Sequence, residues 1–369
     1  MKRKMNFELD TVVIEEGCRA SALATRIVGA VPASVHVRYV SDGRLEVRPP
    51  TGTRDPFGVG KRRMVIMPRR GPFLMGCPAS STQFACCGYL VLVLASNCPM
   101  DCSYCFLQEH LANNPGLQLY ANYHDAFNEL DRLAHTGCER SFRVGTGELA
   151  DSLAFDSLTG ISRDLVSYFS KHEALMLELK TKTDEIDNLL AIDPRGRTTV
   201  SWSLAPTRVF ATSEHRTAPP QSRINAARRV LDAGYKVGFH LDPLIAYPGA
   251  DQDYLELLDN VFDGLPPRTI AFFSLGGLRM TPGLRTAARR RFPKDPMLVG
   301  EEVLGEDGRY RAFTPLRLRL FSKLCDRIKR ACPALPVYLC METASAHHRV
   351  FGAAPLTPAA LSSRLAGNW

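Results

Sequence analysis

The chain has 369 residues, 45% hydrophobic and 23% charged, with a formal net charge of +8 at pH 7; this is an ordinary globular composition, enough for one large domain or two modest ones, and it excludes a disordered tail or a collagen-like array. The longest apolar run, 89–95, falls far short of the roughly 20 residues of a membrane span, and the basic start MKRKMNFELD leads into no signal-peptide core, so a soluble, cytoplasmic protein is expected; a monomer is the expected state. Eleven cysteines, odd in number and unevenly spaced without an export signal, argue against a disulfide framework and for metal, redox chemistry or plain burial.

Residues 1–85 mix short strand-like pieces (35–39, 45–47) with turn-rich basic stretches such as RPPTGTRDPFGVGKRR, and read as a basic N-terminal extension packed on the main body. From Cys86 a regular alternation begins. Apolar, β-branched runs at 89–94, 141–145, 175–180, 199–204, 236–241 and 269–274 predict buried parallel strands. Between them, Ala126, Phe127, Leu130, Leu133 and Ala134 follow helical spacing and stop at Gly137. Ile224, Ala227, Val230 and Leu231 do likewise before Gly234, and Tyr254, Leu257, Leu258 and Val261 form a third such stripe. Six βα units in series predict an α/β fold built on a parallel barrel or partial barrel, with its chemistry at the C-terminal ends of the strands. A long basic helix over 313–331 and a further strand over 336–341 follow. The expected organisation is an extension (1–85), a barrel (86–345) carrying a basic substrate-binding segment (279–330), and a C-terminal tail (346–369).

The charge is unevenly placed. Residues 1–85 hold 14 Lys+Arg against 7 Asp+Glu, residues 86–278 hold 16 against 24, and residues 279–330 hold 14 against 6. Basic flanks around a mildly acidic middle suit a polyanion-binding protein with a separate chemical centre, or else a solvated basic surface.

The strongest chemical signal follows the first strand, in SNCPMDCSYCFLQ. Cys98, Cys102 and Cys105, spaced C-x3-C-x2-C on one short loop, can each turn a thiolate toward a single [4Fe-4S] cluster and leave one iron open. An open iron can chelate the amino and carboxylate groups of S-adenosylmethionine, whose sulfonium is then cleaved by an electron from the cluster to give a 5′-deoxyadenosyl radical. Structural zinc prefers four ligands, commonly as two paired motifs, and no second C-x2-C lies downstream; buried structural cysteines are the remaining alternative. Cys77, Cys86, Cys87, Cys138, Cys325, Cys332 and Cys340 share no ligand spacing and read as small buried hydrophobes.

This loop at the end of a first strand resembles the radical S-adenosylmethionine superfamily, which implies that group's partial (β/α)6 barrel. Within it, residues 76–341 resemble the spore photoproduct lyase family, through SNCPMDCSYCFLQ, ELKTKTD, VSWSLAP, RINAARRVLDAGYKVGFHLDPLI and GRYRAF. The resemblance implies a lyase that repairs a UV-induced thymine dimer in damaged double-stranded DNA. Its cofactors would be a [4Fe-4S] cluster and S-adenosylmethionine, with an electron donor such as flavodoxin or ferredoxin.

The resemblance places Tyr104 over the adenine, Asp151 beside S-adenosylmethionine, and Lys182 and Ser203 near its carboxylate and ribose. Asp242 takes another cofactor-side position, while His240, on the same strand face, reads as a satisfied core residue. Arg309 and Tyr310 match an Arg-Tyr pair next to the lesion, suited to phosphate and to an extruded base. Glu148 stands where the lyases carry the cysteine that returns a hydrogen atom to the repaired thymine. A carboxylic O–H is too strong a bond for that task, so Glu148 would instead hydrogen-bond the amino group of S-adenosylmethionine. The departure leaves open a radical enzyme acting on RNA, a peptide or a metabolite. A non-enzymatic iron–sulfur protein that binds nucleic acid is a third class.

Overall fold

The computed structural model describes residues 7–77, 84–136 and 141–367, the side chains of the last two excepted. Its main sheet contains seven parallel strands in sequential order: β1 (Leu90–Leu92), β2 (Phe142–Gly145), β3 (Leu175–Thr181), β4 (Thr198–Ser203), β5 (Lys236–Leu244), β6 (Ile270–Gly277) and β7 (Val337–Leu339). A short antiparallel strand, Leu74–Gly76, covers the β1 edge. The curled sheet is a partial barrel. Every residue of β4 and β6 is buried, the signature of strands covered on both faces.

Helices Asp125–Ala134, Ile161–Phe169, Pro220–Asp232, Ala250–Gly264 and Thr314–Ala331 form the outer layer. Their apolar stripes are the ones read from the sequence: Ile224, Ala227 and Val230 are buried, as are Tyr254, Leu257, Leu258 and Val261. Pro220 starts its helix where a missing N–H costs nothing, and Gly234, at φ +89°, ends the turn in the left-handed region. Six regular βα units were expected, but the connection from β3 to β4 forms no helix. Residues 182–197 bury Ile186 and Leu189 through turns instead, and Asn188 donates to the Asp156 main chain at 2.7 Å.

The N-terminal residues join a sheet that they share with the barrel region. Strands His36–Val40, Thr11–Glu15, Arg63–Met67, Leu117–Tyr120 and Ala95–Ser96 form a second sheet in that order. The last two come from beyond the expected boundary at residue 85, and the cysteine loop hangs between them. The strand expected at 45–47 is also absent: Gly43–Leu45 is a 3-10 turn, because the Asp42 carboxylate accepts from the Arg44 N–H at 2.9 Å. At the opposite end of the barrel, Leu365 of the C-terminal helix, within the expected tail, packs on Ala271, Phe272 and Tyr338.

Candidate active site

Cys98, Cys102 and Cys105 lie on a loop held from several sides. Asn97 enters it at φ 68°, which an asparagine tolerates, and its side-chain amide donates to Pro115 O at 2.7 Å while its oxygen accepts from the Cys98 N–H at 2.8 Å. Lys61, almost fully buried, donates to Met100 O at 2.6 Å and pairs with Asp101. Arg291 bridges Asp55 and Asp101, and Gln108 donates back to Ser103 O at 2.8 Å. Ser103 hydrogen-bonds Asp295.

The three thiols are free, Cys98 and Cys102 buried and Cys105 half-buried. Burial, helped by Asp151, pushes the Cys98 thiol up to about 12, against the pull of Lys61. Among the described residues no three Cys, His, Asp or Glu side chains close on a single metal ion. Three thiols on one clamped loop with Lys61 and Lys182 in electrostatic reach fit an anionic body such as a [4Fe-4S] cluster.

Cys102 and Cys105 open into a cavity of about 570 Å³ at the C-terminal ends of the strands. Tyr104, Glu148, Lys180, Lys182, Asp242, Arg279 and Arg309 supply its polar wall, and Phe106, Leu278, Leu284 and Met341 its apolar wall. Five of the residues singled out beside the cysteines are therefore brought together: Tyr104, Glu148, Lys182, Asp242 and Arg309.

Tyr104 and Lys182 are joined by a group that no sequence motif indicated. The Glu214 carboxylate, fully buried, accepts from the Tyr104 hydroxyl, from Lys182 Nζ at 2.7 Å and from Arg223 at 2.6 Å. Burial opposes its charge, but Lys182 and Arg223 outweigh it and hold the carboxyl down at about 2.

Asp151 and Ser203 are not in the cavity lining. Asp151 accepts from the N–H groups of Leu153, Ala154 and Lys182 and from the Thr181 hydroxyl, at 2.7–3.0 Å, which ties the turn after β2 to the end of β3. The Ser203 hydroxyl donates to Asp242 O at 3.1 Å and locks β4 to β5. Both carry the frame of the cavity. Tyr310 is not in the lining either; its ring lies under the Arg285 guanidinium, 4.4 Å from ring centre to Cζ.

Glu148, Lys180, Asp242 and Arg279 form the charged floor. Side chains two apart on a strand share a face, so Glu178, Lys180 and Lys182 all turn inward from β3. Glu178 closes the barrel interior by accepting from Arg143, Ser201 and His240, each at 2.7 Å. Burial, with Lys180 beyond it, lowers His240 to about 4, so this histidine is a neutral core residue as expected. Gly147 is required by close approach: a Cβ there would sit 2.7 Å from Lys180 Cβ. Asp242 pairs with Arg279 at 3.3 Å. Glu148 and Lys180 make no hydrogen bond or ion pair with any described residue. Burial is the largest influence on Glu148 and pushes its carboxyl above the usual range, with Lys180 pulling it back. Lys180 and Arg279 could have been found from the sequence, since one precedes Lys182 by two positions and the other lies two residues beyond the end of β6.

The basic segment 279–330 is largely neutralised by folding. Arg319 and Lys323 pair with Asp251, and Arg327 with Asp259, which zips the helix Thr314–Ala331 to Ala250–Gly264. Arg317 pairs with Glu342, Arg285 with Glu302, and Arg311 with Asp307. The segment is thus not a continuous phosphate-binding stripe. Arg290, Lys294 and Arg330 are exposed and in no ion pair with any described residue, and Arg309 is a third exposed beside Asp307. No helix among the described residues is long and apolar enough to cross a membrane.

Comparison with known proteins agrees with this arrangement. The chain is 26% identical over 270 residues to the spore photoproduct lyase of Clostridium acetobutylicum, covering 73% of this chain and 78% of that protein. It is 26% identical over 210 residues to that of Bacillus subtilis, covering 56% and 61%. A solved double mutant of spore photoproduct lyase with bound AdoMet and dinucleoside spore photoproduct superposes with a TM-score of 0.80 at 21% identity, over 91% of this chain and all of that one. The sequence profile of spore photoproduct lyase matches residues 79–312, well over half of the chain, which makes this protein a member of the spore photoproduct lyase family.

Proposed function

We propose that this protein is a radical S-adenosylmethionine lyase acting on a UV-induced thymine photoproduct in DNA, as a cytoplasmic monomer fed by a flavodoxin- or ferredoxin-type electron donor. The observation that carries the reading is the cavity whose lining joins Cys102 and Cys105 to the charged floor and to Arg309. In the solved relative, AdoMet and a dinucleoside photoproduct are bound in the same fold.

When bound, the cluster and S-adenosylmethionine supply a carbon radical that takes a hydrogen atom from the bridged thymine pair. The chain's own residues prepare the place. Cys98, Cys102 and Cys105 would hold the cluster, and the Asn97, Lys61 and Arg291 contacts keep their loop rigid. Tyr104, fixed by Glu214, offers a flat wall for an adenine, and Lys182, also held by Glu214, lends positive charge beside it. Asp242 and Arg279 present a paired carboxylate and guanidinium to polar groups of either ligand. Base chemistry inside a duplex demands extrusion of the lesion. Arg309 in the lining suits a phosphate, and the exposed Val303 and Leu304, on the strand paired with Tyr310–Ala312, and exposed Phe313 just after it suit a wedge between separated bases.

The test is the reconstituted, reduced protein with S-adenosylmethionine and a dinucleoside spore photoproduct. Formation of 5′-deoxyadenosine together with the repaired thymine dinucleoside supports the proposal. Cofactor cleavage without lesion consumption favours the second reading, a radical enzyme on RNA, a peptide or a metabolite, for which Glu148 in place of a thiol is the specific support. No cleavage at all leaves only a binding protein.

A further inference from the structure

Glu148 and Lys180 are opposite charges that both face the cavity, each half-buried, and each in electrostatic reach of the other. They do not pair: no contact within 4.0 Å joins them, and neither bonds any other described side chain. Nearby groups behave otherwise. Asp242 has Arg279, Glu214 has three donors, Lys182 has Glu214, and Glu178 has Arg143. Both charged groups keep access to the cavity, so their unfilled hydrogen-bonding capacity is presented to whatever enters it. An acceptor in the turn after β2 and a donor on β3, both facing the cavity, describe a ligand edge that offers a donor to one and an acceptor to the other.

Resting on the function proposed above, we infer that Glu148 and Lys180 read the imide edge of an extruded pyrimidine, Glu148 accepting from the ring N3–H and Lys180 donating to an adjacent ring carbonyl. The pattern fits the chemistry of the base. Thymine and uracil rings carry a C=O, N–H, C=O sequence along one edge, and both rings of a methylene-bridged thymine pair keep it. Cytosine presents a bare ring nitrogen at N3 and an amino group beside it, so it would set a lone pair against Glu148 and a donor against Lys180. A site built for a hydrogen bond rejects a ligand that lacks it far more strongly than an apolar pocket rejects an extra atom. The geometry of the strand ends makes the reading possible, because Gly147 leaves room for Lys180 to pass and β2 and β3 run in parallel register, Gly145 opposite Glu178.

The experiment compares binding of two ligands, the dinucleoside spore photoproduct and its N3-methylated form, to the cluster-loaded protein saturated with S-adenosylmethionine. Thymidine and N3-methylthymidine serve as a second pair. The native protein is expected to bind the methylated lesion at least about 10-fold more weakly, the scale of a lost hydrogen bond to a charged group. Glu148→Leu should bind both forms with affinities within about 2-fold of each other, Glu148→Gln should restore part of the discrimination through its amide oxygen, and Lys180→Met should weaken both forms together. Undiminished discrimination in Glu148→Leu overturns the inference. So does a Glu148→Leu protein whose defect is in S-adenosylmethionine affinity alone, since the carboxylate would then serve the cofactor. If the native protein binds thymidine with N3 discrimination but does not bind the lesion, the imide reading stands and the photoproduct reading falls. If it binds neither pair, both fall.

Discussion

Glu214 and Cys102 are backbone partners in a two-residue antiparallel ladder, Glu214 opposite Cys102 and His215 opposite Asp101. The carboxylate that gathers Tyr104, Lys182 and Arg223 is therefore fixed to the cysteine loop by main-chain bonds as well as through side chains. Any ligand that reaches the loop meets a wall positioned by the same residue. Removing that carboxylate would leave the buried Arg223 guanidinium and the Lys182 ammonium without a counter-charge. Glu214→Leu should accordingly destabilise the protein by about 3–5 kcal/mol, the range for breaking a buried ion pair on one side, read as a fall in the denaturant midpoint. Glu214→Gln, which keeps the shape, should fold and weaken S-adenosylmethionine binding. An unchanged midpoint in the leucine variant would show that Glu214 is not the hub described.

Cluster ligation gives the sharpest spectroscopic expectation. Each thiolate supplies one of three protein bonds to the cubane, so Cys98→Ala, Cys102→Ala or Cys105→Ala should lose the brown absorbance and all cofactor cleavage. Cys332→Ala, half-buried far along the chain after the helix Thr314–Ala331, should retain full iron. Full iron content in any of the first three variants refutes the ligand set.

Charge position along the sequence proves a poor guide to charge position in space. Three neighbouring arginines, 289, 290 and 291, look equivalent in the sequence. In the fold Arg291 is nearly buried and bridges Asp55 and Asp101, and Arg289 donates to Leu298 O at 2.8 Å, whereas Arg290 is exposed. Arg291→Ala should lower the thermal midpoint and cluster retention, by leaving Asp55 unpaired and Asp101 beside Cys102 to Lys61 alone. Arg290→Ala should leave both unchanged and only flatten the salt dependence of duplex binding, by about one phosphate contact. Equal effects from the two substitutions would contradict the ion-pair assignment.

Stability should fall in acid in a window set by His240. Its folded-state value is lowered to about 4 from the ordinary 6.5, chiefly by burial, so the unfolded chain binds the proton more readily. The contribution is complete above pH 6.5 and is lost as pH drops toward 4, amounting to about 3 kcal/mol if the whole shift is expressed. Glu214, held at about 2 against 4.5, extends the loss from pH 4.5 downward with the same sign. Denaturant midpoints from pH 7.5 to 4 should slope for the native protein and flatten above pH 4.5 in His240→Asn. A native midpoint constant between pH 6.5 and 4.5 would rule out the buried neutral imidazole.

The barrel strands and their helices were legible because apolar runs of β-branched residues and 3.6-residue stripes directly encode burial. Predicted strand 199–204 and observed Thr198–Ser203 differ by one residue at each end. The cysteine loop was legible because its ligand spacing is local. What escaped was whatever depends on distant partners. Glu214 sits in no motif, and only the pairing with Cys102 reveals it. Asp151 and Ser203 occupy strand ends that look like ligand positions, yet their oxygens are spent on the frame. The N-terminal sheet was hidden because two of its strands, Ala95–Ser96 and Leu117–Tyr120, belong by sequence to the barrel region.

The hydrogen atom that a repaired thymine must regain has no evident source in this cavity. Of the described residues lining it, the thiols are Cys102 and Cys105, both committed to the cluster, and the Tyr104 hydroxyl is engaged by Glu214. Tyr310 lies under Arg285 outside the lining, and Cys138 lies outside the described residues. Hydrogen transfer needs near contact with the radical carbon, so residues beyond the lining are poorly placed. The native protein is therefore expected to repair the dinucleoside lesion slowly or with trapped adducts. Glu148→Cys should shift the products toward clean thymine even as it weakens binding, because it exchanges an imide acceptor for an S–H donor in the same position. Turnover and product masses for both proteins under identical reduction decide the matter. Efficient, adduct-free repair by the native protein would place the donor elsewhere; Cys340, in electrostatic reach of Asp242 and Lys180, is then the first position to test, with Cys340→Ala abolishing the clean product. Ready cofactor cleavage with no lesion consumed by either protein would mean that the substrate is another molecule.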